Sequence, residues 1–173
     1  MQAVQNNRQS FMCCLLYAVI QVAAQAQDDT PESLPGFEAH VFRTIEKTEL
    51  RLHVIKPKDW SGTDKRPCFV FFFGGGWTTG NPKGSIMWTK WASDHGLVGI
   101  APDYRTFSRH QSTIENSVSD ARAAVRWVQA HAAELGIDPA KIISSGVSAG
   151  GHLAAWTAIP GRCLLYTSPS PRD

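Results

Sequence analysis

The spacing of apolar residues alternates between the periods of strands and helices. Two segments of alternating polarity predict the strands of an antiparallel hairpin, 41–45 and 50–55. Three continuous apolar runs predict strands that are buried on both faces of a parallel sheet, 68–73, 97–101 and 141–145. The chain is therefore expected to begin with a hairpin and to continue into a parallel sheet.

Helical patterns separate the predicted strands. Helices are expected over 85–95 and 150–158, and a longer apolar stripe is predicted to end at Gly136 as its C-cap. The members of that stripe are Ile114, Val118, Ala121, Val125, Val128, Ala132 and Leu135. Asp138 and Pro139 predict a short turn before the last strand. Strands and helices in alternation are typical of the α/β class.

Composition and charge narrow the function classes. The 173 residues are 43% hydrophobic and 18% charged, with a net charge of +2, which is typical of one folded domain. No basic stripe concentrates a positive field, so no nucleic-acid partner is expected. No apolar run is long enough to span a bilayer, so no membrane association is expected after processing.

The first 26 residues have the pattern of a secretory signal. Arg8 gives a positive start, 11–22 is a short apolar region, and 24–26 is an A-x-A-type cleavage site. A buried first helix is the alternative, but Asp28 and Pro31 follow at once and would break it. The pattern predicts a secreted or periplasmic protein.

The last 11 residues have a different character. The segment 163–173 has no periodicity and resembles a translated sequencing adapter; a disordered Pro/Ser tail is the alternative. The adapter interpretation leaves 27–162 as the N-terminal part of one domain. Cys68 is then its only native cysteine, so no intrachain disulfide is expected.

A G-x-S-x-G pentapeptide spans Gly146 to Gly150, between a predicted buried strand and a predicted helix. A serine on so tight a strand-to-helix turn takes strained backbone angles and projects its hydroxyl above the sheet edge. The residues two before and two after it must be small, because the helix doubles back against the strand. A coincidental turn is the alternative, but the context favours Ser148 as a nucleophile.

Three glycines, Gly74 to Gly76, follow the first buried strand. Consecutive glycines let the backbone approach a ligand closely and present N–H groups into a cavity, although a merely flexible loop has the same composition. A nucleotide site is disfavoured because 81–84 prevents a helix from starting directly after the glycines. No G-K-[ST] follows, which excludes a P-loop.

These motifs resemble the α/β-hydrolase superfamily, and within it the hormone-sensitive-lipase-like esterases. The landmarks are four segments, 73–76, 103–105, 120–128 and 146–151. The resemblance implies a three-layer α/β sandwich whose mostly parallel sheet carries an N-terminal antiparallel hairpin. It also implies a carboxylic-ester hydrolase without a cofactor, acting on a small-molecule ester. No His, Cys and Asp cluster has the spacing of metal ligands, so no metal site is expected.

In such an enzyme Ser148 is the nucleophile that forms an acyl-enzyme, and the amides of Gly75, Gly76 and Ala149 form the oxyanion hole. The chain departs from the family at Phe73, where a histidine is usual. Phenylalanine cannot make the hydrogen bonds by which a histidine braces the loop.

The partners of the nucleophile are not evident. In α/β-hydrolases the order is serine, acid, histidine, whereas His152 is the only histidine after Ser148 and Asp173 lies in the tail. His152 is interpreted as a packed structural residue, and Asp103 and Asp120 as structural carboxylates that pair with Arg105 or line the helix. The remaining histidines all precede Ser148: His40, His53, His95, His110 and His131.

The simplest expectation is a chain cut after the nucleophile helix, without catalytic acid and base. Such a chain is expected to be nearly inactive, and to leave Ile142 and Ile143 on an open apolar edge.

Three functions remain open. The first is an esterase for short-chain or carbohydrate-linked esters, with Trp77 as a candidate substrate contact and Trp88 and Trp91 nearby. The second is a serine peptidase of the prolyl-oligopeptidase type. The third is a non-catalytic binding protein on the same fold. The pattern leaves the oligomeric state open.

Overall fold

A computed structural model describes residues 30–159. The predicted signal at 1–26 and the predicted adapter tail at 163–173 lie outside these residues. None of the helices within 30–159 has both the length and the apolar character needed to cross a membrane.

Five strands and four helices make up the described part of the chain. The strands are β1 (Glu38–Ile45), β2 (Thr48–Ile55), β3 (Arg66–Phe72), β4 (Val98–Pro102) and β5 (Ile137–Gly146). The helices are α1 (Ile86–Asp94), the single turn α2 (Phe107–His110), α3 (Ile114–Ala130) and α4 (Ala149–Ala158). A 3₁₀ turn at Pro82–Ser85 precedes α1. The predicted strands and long helices are confirmed, with shifted ends.

The strands form one mixed sheet in the order β1-β2-β4-β3-β5. β1 pairs with β2, and β2 with β4, in the antiparallel sense. β3 lies parallel to both β4 and β5. The predicted architecture, an N-terminal antiparallel hairpin joined to a parallel sheet, is confirmed.

Helices cover both faces of this sheet. Trp88 of α1 stacks on Phe71 of β3, with ring centroids 5.4 Å apart. Successive side chains of a strand point to opposite faces. Phe72 therefore points away from α1, into a core that it shares with Val128 of α3 and Leu153 of α4. The result is a three-layer α/β sandwich.

The end of α3 differs from the prediction. The helix ends at Ala130, and residues 131–136 turn back, with the amide of Leu135 donating to the carbonyl of His131. Leu135 is still buried, and its carbonyl accepts a hydrogen bond from Trp60 Nε1 at 2.9 Å. The turn therefore buries the same apolar residue that a longer helix would bury. At the other end, Ile114 is 44% exposed and does not belong to the buried stripe.

The predicted turn at Asp138 and Pro139 lies inside β5, as an irregularity of the ladder. The register with β3 shifts between residues 137 and 142, and Asp138 accepts a hydrogen bond from the amide of Ala140. The prediction that β5 is buried on both faces is wrong, because Ile143 is 47% exposed. Among the described residues β5 pairs with β3 alone, so Ile143 lies at an open apolar edge, as expected.

Candidate active site

Ser148 occupies a sharp turn between β5 and α4. Its backbone angles are φ 53° and ψ −121°, outside the regions that a serine normally adopts, and the residue is exposed. Such strain persists only where the surroundings enforce it. Here they do, since a Cβ at Gly146 would lie 2.4 Å from the carbonyl carbon of Gly150. A Cβ at Gly150 would lie 2.1 Å from the carbonyl oxygen of Phe72. Both glycines are required for the helix to cross the strand so closely.

The helix that follows Ser148 directs its N-terminus toward the same point. Ala149 is the first residue of α4 and is buried, and its amide has no backbone acceptor among residues 30–159. Free amides and the helix dipole give this end a partial positive charge. A negative charge that develops beside Ser148 would be stabilised there.

The glycine loop after β3 lies against this turn. A Cβ at Gly74 would lie 3.0 Å from the carbonyl oxygen of Val147 and 3.4 Å from Cβ of Ser148. Gly75 has φ 135°, and a Cβ there would lie 2.1 Å from the carbonyl oxygen of Thr79. The structure thus brings the predicted loop and the predicted nucleophile together.

Phe73, which replaces the usual histidine, is fully buried and held by an aromatic neighbour. Its ring stacks on Tyr104 with centroids 4.1 Å apart, and the Tyr104 hydroxyl donates to the Phe73 carbonyl at 2.9 Å. The loop therefore has a hydrogen-bonded brace although the Phe73 side chain has no polar atom. Tyr104 supplies the brace through the main chain, which does not depend on the side chain at position 73.

Trp77 lies at the end of the glycine loop, close to the nucleophile helix. Its backbone φ is 59°, and its ring meets His152 edge to face at 5.1 Å. Trp88 and Trp91 instead lie on α1 against the sheet, where Trp91 meets Phe69 at 6.5 Å. Of the three tryptophans singled out from the sequence, Trp77 is the one that contacts the helix of Ser148.

The two candidate carboxylates are buried in ion pairs. Asp103 is paired by Arg109 through two hydrogen bonds, of 2.9 and 2.7 Å. Asp120 pairs with Arg105 at 2.8 Å and with Arg43 at 2.7 Å. The structural interpretation of both carboxylates is confirmed, and the expected partner Arg105 pairs with Asp120.

Tyr104 and Arg109 support the loop, and the sequence reasoning gave them no such role. Arg109 also donates to the carbonyl of Tyr104 at 2.9 Å and lies 5.9 Å from the Phe73 ring. Tyr104 follows a predicted buried strand directly, which was the available signal. Arg109 lies on the single turn α2, which the apolar pattern does not reveal.

No histidine of residues 30–159 hydrogen-bonds to the Ser148 hydroxyl. His152 accepts a hydrogen bond from Trp156 Nε1 at 2.9 Å and is exposed, not packed as predicted. His53 is fully buried, and burial lowers its pKa to about 4. The other four histidines also have partners away from Ser148. His95 and His131 hydrogen-bond to the carbonyls of Trp91 and Trp127. His110 accepts from the Thr106 amide, and His40 lies near Glu38. Within the same residues, no three His, Cys, Asp or Glu side chains are arranged to hold a metal ion.

A cavity of about 630 Å³ lies between β5, α3 and α4. Its lining includes Val125, Ile142 and Ala154, and it reaches the turn only at Gly146. Neither Ser148 nor the glycine loop borders it, so it is separate from the candidate site.

Known proteins resemble this chain over the part that carries the candidate site. A family model described as BD-FAE matches residues 52–163, which include the glycine loop, Ser148 and α4. The chain belongs to the BD-FAE family. Its curated relatives include two proteins of Mycobacterium tuberculosis. Carboxylic ester hydrolase LipN is 32% identical over 72% of this chain, and carboxylesterase NlhH is 36% identical over 53%.

A solved structure extends the comparison to three dimensions. The thermophilic esterase Est2 of Thermogutta terrifontis is 48% identical over 70% of this chain, with a TM-score of 0.69. These similarities identify this BD-FAE chain as an α/β-hydrolase of the hormone-sensitive-lipase-like esterases. The alignment covers 43% of Est2, 34% of LipN and 28% of NlhH. This chain therefore spans less than half the length of the relatives that it matches.

Proposed function

We propose that the protein is a carboxylic-ester hydrolase in which Ser148 is the nucleophile. The observation that carries the proposal is the exposed serine at φ 53°, on a turn that Gly146 and Gly150 make possible, with the glycine loop against it. Esterase relatives that share this part of the fold support the same reaction class.

In the proposed reaction the Ser148 oxygen attacks the ester carbonyl and displaces the alcohol, which leaves an acyl-serine for water to hydrolyse. The carbonyl oxygen becomes negative in the tetrahedral intermediate. The amides of Gly75, Gly76 and Ala149 are the proposed donors to it, each worth about 3 kcal/mol of transition-state stabilisation.

The attack also requires a base that accepts the serine proton and a carboxylate that orients this base. Residues 30–159 place neither at the Ser148 hydroxyl. We therefore assign both groups to polypeptide corresponding to the part of Est2 that this chain does not align with. On this assignment, the chain by itself is expected to be nearly inactive.

The proposed substrates are esters with short acyl groups. Est2 has been solved with propionate and with butyrate bound, and both are short carboxylates. Trp77 is a candidate contact for the acyl or alcohol group, because its ring lies beside the helix of Ser148. A carbohydrate alcohol is the second proposed class, since tryptophan faces suit sugar rings.

Export is the proposed fate of the protein, on the basis of the predicted signal at 1–26. Intact-mass measurement of the protein recovered from the culture medium or periplasm tests this. A mature chain that begins at Gln27 is expected, whereas a cytoplasmic chain that keeps Met1 would contradict the proposal.

A fluorophosphonate probe on the full-length esterase tests the nucleophile. Est2 has been solved phosphorylated by paraoxon and phosphonylated by sarin, so organophosphorus reagents are suitable for this fold. We expect labelling at Ser148, none in Ser148→Ala, and normal labelling in Ser145→Ala, which lies three residues earlier on β5. A folded protein without labelling would favour the non-catalytic binding protein.

Substrate assays then separate the two enzyme classes. Nitrophenyl acetate and butyrate should be hydrolysed, and Ser148→Ala should lower kcat/KM by about 10⁴-fold or more. Faster cleavage of a proline amide than of these esters would instead favour the prolyl-oligopeptidase type.

A further inference from the structure

Trp77 holds a backbone conformation that needs support from its surroundings. Its φ of 59° lies in the left-handed region, which is unfavourable for a bulky side chain. The residue directly follows Gly76, so a change of its backbone angles would move the proposed oxyanion amides. What holds Trp77 in place therefore also fixes these amides relative to Ser148.

Two contacts hold Trp77 beyond its partial burial against the core. The Trp77 carbonyl accepts a hydrogen bond from the amide of Phe107 at 2.9 Å. The Trp77 ring meets the ring of His152 edge to face, with centroids 5.1 Å apart and an interplanar angle of 83°. This geometry is favourable for two aromatic rings, because the positive edge of one ring meets the negative face of the other.

His152 is itself fixed relative to the nucleophile. Its backbone amide donates to the carbonyl of Ser148 at 3.2 Å, in the first turn of α4. Its Nε2 lies 2.9 Å from Trp156 Nε1. An indole N–H can only donate, so His152 Nε2 is the acceptor of this hydrogen bond. Arg122 holds Trp156 in turn, by a hydrogen bond of 3.1 Å to its carbonyl.

We infer that His152 is a positioning residue of the esterase reaction, which fixes the Trp77 ring and thereby holds the amides of Gly75 and Gly76 toward Ser148. Its imidazole is no base in this arrangement, because Nε2 is engaged by Trp156. The inference rests on the proposed function and adds to it a link between the nucleophile helix and the oxyanion loop.

A double-mutant cycle in the full-length esterase tests this link, with nitrophenyl butyrate as substrate. In His152→Ala we expect kcat to fall by about 10- to 100-fold, because a small displacement of the donors weakens binding of the oxyanion. KM should change by less than about threefold, since the effect belongs to the transition state. In the Trp77→Ala background, which lacks the ring, His152→Ala should cost less than about threefold more.

A conservative variant and a matched control complete the design. His152→Phe keeps an aromatic ring against Trp77 and should retain kcat within about fivefold of the parent, although its side chain cannot accept a proton. His95→Ala is the control, because His95 is also exposed and stacks on a tryptophan, Trp91, at 4.4 Å. It should change kcat by less than about twofold.

Several results would overturn the inference. They are an unchanged kcat in His152→Ala, an equal loss in the parent and Trp77→Ala backgrounds, and a loss of 10⁴-fold or more in both His152→Ala and His152→Phe, which would identify a base. Thermal unfolding of each variant shows whether it is folded. The probe labelling of Ser148 is measured separately, so a failure of the esterase proposal would appear there and not in this cycle.

Discussion

The close approach of α4 to β3 can be tested by adding one methyl group at Gly150. A Cβ at this position would lie 2.1 Å from the Phe72 carbonyl oxygen and 2.5 Å from that of Phe73. Both atoms belong to the main chain, so neither can rotate away. Overpacking typically costs 1–3 kcal/mol, and with two rigid contacts we expect Gly150→Ala to lose about 3 kcal/mol of unfolding free energy.

Gly151→Ala is the matched control. Gly151 lies in the same helix, but its Cβ would lie 3.2 Å from the nearest atom, the Gly146 carbonyl oxygen. Both substitutions improve helix propensity by a similar amount, up to about 1 kcal/mol, so their difference isolates the contact with the strand. Gly151→Ala should remain within about 1 kcal/mol of the parent.

The assay is urea denaturation of the protein and its two variants, followed by far-ultraviolet circular dichroism. Fluorophosphonate labelling of Ser148 is measured in parallel, and Gly150→Ala should slow it because α4 must move away from β3. Equal stability of Gly150→Ala and Gly151→Ala, with equal labelling rates, would refute the close crossing of helix and strand.

Three further predictions concern buried polar groups, each measured against the parent by urea denaturation. The neutral form of His53 is favoured by burial, which lowers its pKa to about 4, so the unfolded chain binds more protons below pH 6.5. The unfolding free energy should thus fall by at most about 3 kcal/mol as the pH drops from 6.5 toward 4. His53→Leu should flatten this pH dependence, and an unchanged slope in the variant would contradict the prediction. Arg109→Ala leaves the Asp103 carboxylate buried without its partner and should cost about 3–5 kcal/mol, and a loss below 1 kcal/mol would argue against the pair. Tyr104→Phe removes the donor to the Phe73 carbonyl and should cost about 1–3 kcal/mol, with a lower kcat; a change in neither quantity would show that the brace is dispensable.

The sequence predicts those elements of the fold whose type and burial follow from the local spacing of apolar residues. β4 is a continuous apolar run and is buried at every position, and the alternation of β2 buries Leu50, Leu52 and Val54. Periodicity does not locate the end of α3, because a turn buries Leu135 as well as another helical turn would. It cannot reveal the exposure of Ile143 either, since this depends on which strand lies beside β5.

In the candidate site, too, some features follow from local sequence and others depend on tertiary contacts. The glycines of the turn and the loop follow from the local demand for small residues at a close crossing, so the pentapeptide located Ser148 without tertiary information. The ion pairs do not follow from sequence, because Asp120 meets Arg43 from 77 positions away. Arg105 is two residues from Asp103 in the chain, yet a bond to Asp120 satisfies it and leaves Asp103 to Arg109.

Phe73 shows why a departure from a family motif need not change the site that the motif builds. A histidine at this position would place an imidazole in a fully buried pocket, between the Tyr104 ring at 4.1 Å and the Arg109 guanidinium at 5.9 Å. Phenylalanine fills the same volume without a polar atom that needs a partner, and it stacks on Tyr104. The loop itself is held by the bond from the Tyr104 hydroxyl to the carbonyl at position 73, one residue before Gly74. Because this bond involves only the main chain of residue 73, it does not depend on which side chain precedes the glycines.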